Sequence, residues 1–87
     1  MKISEIKIKF IKPNNGIIAF ASIVIDDGLC LSGIAIHQRL NSNGYRLTYP
    51  KKDNFNIFYP INQQISKTIE SAIFTAPSFL TLQKGQK

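Results

Sequence analysis

Three observations predict an α+β fold, an antiparallel four- to five-stranded sheet with one C-terminal helix. The first is the period-two alternation of Ile6, Ile8 and Phe10 with Lys7 and Lys9, the mark of a strand with one buried face. The second is a series of turn signals, Asn14-Asn15-Gly16, Asp26-Asp27-Gly28 and Asn41-Ser42-Asn43-Gly44, falling between apolar runs. The third is the stripe Ile65, Ile69, Ala72 and Ile73, whose three- and four-residue spacing lays one apolar face along a helix.

The elements follow in order. The lysine-rich face of the first strand serves to blunt a sheet edge as readily as to bind a ligand. Ile17 to Ile25 is apolar on both faces apart from Ser22, which predicts a central strand, or one covered by a helix on one side and a partner on the other. Asp27-Gly28 then leads into Leu29 to Ile36 as a hairpin, with the aspartates read as turn residues rather than ligands. Gly33 inside that third strand points to a bulge or a close backbone approach. Tyr45 to Tyr49 is a short strand stopped by Pro50, and Lys51 to Asn54 reads as an exposed connection. Phe55, Ile57 and Tyr59 alternate as a fifth short extended segment, with Phe55 and Phe58 assigned to the core. Asn62 is placed to cap a helix running to about Thr75, and Pro77 ends it. A single domain over 1–77 with a flexible tail over 78–87 is the resulting organisation, without internal repeat or linker.

At 87 residues the chain builds one core, near the size at which a second subunit helps to bury apolar surface. Eleven Lys and Arg against five Asp and Glu give a formal charge of +6, which attracts polyanions ahead of any specific contact. The opening residues alternate charge with branched apolar side chains and carry no secretory-type apolar core. No segment approaches the roughly 20 apolar residues that span a bilayer. A cytoplasmic protein without a membrane partner is expected. The single Cys30 lies inside an apolar run, excludes an internal disulfide and reads as a small buried hydrophobe.

Catalytic signatures are missing: the chain has no Gly-rich phosphate loop, paired cysteines, Ser-His-Asp set or carboxylate dyad. The only histidine, His37, lies seven positions from Cys30 along one strand, about 20 Å away at strand rise, too far for a thiol and base to act together. No enzyme, cofactor or metal site is expected. The residues do supply cations on strand ends and loops, Arg46, Lys51 and Lys52, with Lys67 projecting from the helix. Tyr45, Tyr49, Phe55, Phe58 and Tyr59 are interspersed among them, a mixture suited to gripping phosphates and stacking bases. Pro60 and Asn62 start a helix directly beside the basic turn, another feature that favours phosphate.

Several segments together resemble the stage V sporulation protein G family of bacterial septation regulators. They are the opening Met-Lys-Ile-Ser-Glu-Ile-Lys-Ile, the Ala-Ser-Ile-Val-Ile-Asp ending at Asp26, Ile34-Ala35-Ile36, Asn43-Gly44 with Pro50-Lys51-Lys52, and Pro60-Ile61-Asn62. The likeness runs in the same order from residue 1 to about residue 74. It implies a homodimer formed through the sheet that binds DNA and, in some members, RNA. The family's basic cluster maps onto Lys51 and Lys52, with Lys52 matching its central lysine. The chain departs from the pattern where Asp53 replaces the next basic residue, Ala35 an arginine and Tyr59 a histidine, and the connection to Pro60 is shorter.

Two readings stay open from sequence. One is a nucleic-acid-binding regulator using Arg46, Lys51, Lys52 and Lys67 on phosphates, with the helix residues Gln63, Gln64 and Ser66 contributing sequence choice. The other is a protein-interaction module whose charge serves solubility.

Overall fold

A computed structural model describes residues 1–39 and 44–80. Strands β1 (Ile3–Asn14), β2 (Ile17–Ile25), β3 (Leu29–Gln38) and β4 (Tyr45–Thr48) form an antiparallel sheet in the order β1-β2-β3-β4. A separate two-stranded ribbon pairs β5 (Lys51–Lys52) with β6 (Phe55–Asn56), and the helix α1 (Gln63–Phe74) follows. The α+β class, its antiparallel sheet and the C-terminal helix stand as the sequence predicts.

Turn chemistry explains the hairpins. Asn15 and Gly16 have φ of 54° and 87°, the paired positive values of a two-residue turn whose twist matches its flanking strands. Asp53 and Asn54, at 52° and 70°, do the same at the ribbon tip. The segment read as an open connection, Lys51 to Asn54, is therefore half strand and half turn. Asp26 and Asp27 also take positive φ, and Asp26 has a further task. Its carboxylate accepts from the Lys2 backbone N–H at 2.8 Å and its own N–H donates to the Lys2 carbonyl at 2.7 Å, fastening the chain start to the β2–β3 turn. The turn expected over 41–43 lies outside the described residues.

Cross-strand partners share a face, so the register assigns every strand residue to one side of the sheet. Ile8, Ala21 and Ile34 form one row, flanked by Ile6 with Ile23 and by Ala19, Ile36 and Leu47. These pack with Ile69 and Ile73 of α1 in a single core. The opposite face carries Lys9, Phe20, Ala35 and Thr48 in one row, with His37 and Arg46 in the next. No described helix covers it. Gly33 stands at the expected bulge, where the β2–β3 register slips, with a φ of 85° that a side chain would strain.

Two assignments are corrected. Cys30 is exposed, because it pairs with Val24 on the open face at the uncovered start of β3. Phe55 is 76% exposed, because the ribbon carrying it stands apart from the main sheet. Phe58 does turn inward, meeting Tyr49 edge-on with ring centroids 6.0 Å apart.

The helix starts where Asn62 predicts. Its side-chain oxygen accepts from the amides of Gln64 at 2.7 Å and Ile65 at 3.2 Å, two of the donors that a helix start leaves free. Past Pro77 the chain is helical again over 77–80, and Phe79 there is fully buried. Its ring lies 5.0 Å from Tyr45 and 5.4 Å from Phe74, closing one end of the core. Residues 81–87 of the expected tail lie outside the described residues.

Candidate nucleic-acid interface

Backbone geometry divides the candidate cations into separate groups. Arg46 leaves β4 on the open face of the sheet, opposite His37. Lys67 lies on α1, across the sheet from it. Lys51 and Lys52 are both exposed on β5, paired with Asn56 and Phe55 respectively. As successive strand residues they project to opposite faces of the ribbon. Among the described residues the ion pair present is Lys7 with Glu5 at 3.4 Å, and none of the four candidate cations is neutralised by a carboxylate in this way.

Lys51 has company on its side. A cleft of about 470 Å³ is lined by Thr48, Tyr49, Lys51, Asn56 and Tyr59. Thr48 stands two residues from Arg46 on the same face of β4, a separation of about 7 Å at strand rise. Arg46, Thr48 and Lys51 thus follow one another along the sheet end.

Helical rotation of 100° per residue puts Gln63, Gln64 and Lys67 on the solvent side of α1, whereas Ser66 turns toward the sheet and is half-buried. Ser66 is the least accessible of the sequence candidates on the helix. The helix start itself offers less to an anion than the sequence suggested. Asn62 already occupies the Gln64 and Ile65 amides, so recognition there falls to the side chains.

His37 and Thr48 share a hydrogen bond of 2.7 Å between the ring Nε2 and the hydroxyl. Burial first, and then the nearby Arg46 guanidinium, hold the imidazole below its ordinary value of 6.5. The unfolded chain therefore binds this proton more tightly, and the stability that neutral His37 contributes is complete above about pH 6.5 and lost as pH falls through the lower folded value. Denaturant midpoints should accordingly drop between about pH 7.5 and about pH 5.5, a window in which histidine is the side chain that titrates. A His37→Gln variant should show a flatter profile. Tyr49 moves the other way: burial, then the Glu70 carboxylate, push its hydroxyl above 10.0, and its buried oxygen has no hydrogen-bond partner among the described residues.

The sequence reading did not find the cleft. Its residues lie on β4, the ribbon and the following segment, and only the ribbon turn at Asp53-Asn54 brings them together. That turn was the available signal, since paired residues tolerant of positive φ between Lys52 and Phe55 mark a hairpin.

Among the described residues no group of three or more His, Cys, Asp or Glu is placed to hold a metal, and no helix is long and apolar enough to cross a membrane. Among the described residues the small α+β scaffold presents cations without carboxylate partners on a ribbon and a helix. A family model described as SpoVG matches residues 1–77, and the chain belongs to the SpoVG family of sporulation and septation regulators. No curated protein and no solved structure matches it significantly.

Proposed function

We propose that the chain is a nucleic-acid-binding regulator, acting on DNA or RNA as a homodimer. Lys51 carries the reading with Lys52: two exposed ammonium groups, free of carboxylate partners, fixed on a hydrogen-bonded ribbon. Lysine contacts of this kind set affinity and register on the phosphate backbone. Arg46 extends the track along the sheet end, and Lys67 with Gln63 and Gln64 offers a second contact on the helix. Ser66 plays the smaller part in sequence choice.

Dimerisation through the sheet is supported by the open face, where Phe20 and Cys30 remain exposed beside Val24. Two subunits neutralising roughly four to eight phosphates should lose about 10²- to 10⁴-fold in affinity between about 50 and about 200 mM salt. Fluorescence titrations of duplex DNA and of RNA at those salts test this, and a flat salt response would rule out capture through phosphates.

A second reading, a module that docks another protein, is favoured by the apolar edge that follows the ribbon. Phe55, Ile57, Tyr59 and Ile61 are all exposed there, Ile61 at 89%. Clustered exposed apolar residues of this kind mark interaction surfaces.

A further inference from the structure

We infer that the cleft beside Lys51 receives one unstacked nucleobase, so that the protein prefers single-stranded nucleic acid to a duplex. The inference rests on the phosphate-binding reading above and assigns the base-binding subsite within it.

The cleft has the size and chemistry for this occupant. Its volume of about 470 Å³ falls within the range of small-ligand sites, with room for a base and part of its sugar. Tyr59 is 53% exposed and packs against no other aromatic ring among the described residues, leaving a ring face free. Aromatic side chains in that state serve as stacking platforms that accept any base. Asn56 lines the same cleft with no side-chain hydrogen bond among the described residues, and its amide offers a donor and an acceptor to a base edge. Lys51, its cross-strand partner, supplies the cation for the adjoining phosphate. Arg46 lies farther along the same side, beyond Thr48.

A paired duplex offers no base to such a cleft without breaking stacking and pairing, a cost that single strands and loops avoid. The ribbon makes the arrangement rigid: the Ile57 N–H donates to the Pro50 carbonyl at 2.9 Å, continuing the ladder beyond β6 and closing the base of the loop that holds Lys51 and Asn56.

The test compares oligo(dT), oligo(U) and a mixed-sequence duplex of equal length, titrated at one low salt concentration. The wild type should bind both single strands more tightly than the duplex. Tyr59→Ala should weaken single-strand binding about tenfold while leaving duplex binding unchanged, and Tyr59→Phe, which keeps the ring, should restore it. Circular dichroism checks that both variants fold, and the exposed position gives no reason for them not to.

Duplex bound as tightly as the single strands would overturn the inference while leaving the phosphate reading intact. The same holds for a Tyr59→Ala effect equal on all three ligands, or one that instead changes the oligomeric state. Absence of binding to any of the three would overturn both.

Discussion

Replacing Phe79 with alanine should destabilise the protein by about 3–5 kcal/mol, the usual cost of emptying a buried aromatic site. Phe79 is fully buried, against Tyr45 on the sheet and Phe74 on the helix, so no solvent-side relaxation refills its place. A domain of this size is stabilised by roughly 4–13 kcal/mol in total, and the variant should lose a large share of that. Leu80→Ala, at the exposed neighbouring position, should cost under about 1 kcal/mol. Urea denaturation of both variants measures the contrast. Equal, small losses would mean that the helical stretch over 77–80 does not contribute to the core.

Phe79 also shows where sequence reading stopped. Pro77 is a helix terminator by its missing N–H, and the lysine- and glutamine-rich end of the chain reads as solvated, so Phe79 had no periodic partners to announce its burial. It packs through tertiary contact with Tyr45, more than thirty positions away. The sheet was more legible because its rules are local. Asn15-Gly16 takes positive φ, Asp26-Asp27 likewise, and the alternation of Ile6 and Ile8 with Lys7 and Lys9 fixes which side of β1 meets the core. Cys30 and Phe55 went wrong for the opposite reason. An apolar residue in a strand pattern is buried only if something covers its face, and coverage of a sheet face or a detached ribbon is a property of the whole fold. The candidate cations were found by residue type, since unpaired lysine faces water. Their division between the open face, the ribbon and the helix depends on strand alternation and on which face α1 covers.

Reversing both ribbon charges, Lys51→Glu with Lys52→Glu, should reduce nucleic-acid affinity at least about tenfold at low salt and flatten its salt dependence by about two contacts per subunit. The double replacement changes the formal charge by four, from +6 to +2, so attraction at long range weakens along with the local contacts. Folding should be unaffected, because both side chains are exposed and neither is paired with a carboxylate. The single variants should differ. Lys51 lines the cleft with Thr48, on the side that leads to Arg46, whereas Lys52 leaves the other face of the ribbon beside Phe55. A strand lying along the cleft loses more with Lys51→Glu than with Lys52→Glu, and binding isotherms at two salt concentrations resolve the two. Unchanged affinity in the double variant, with the fold intact, would remove the ribbon from nucleic-acid binding. The exposed edge of Phe55, Ile57, Tyr59 and Ile61 would then be the functional surface, one whose apolar chemistry suits a protein partner.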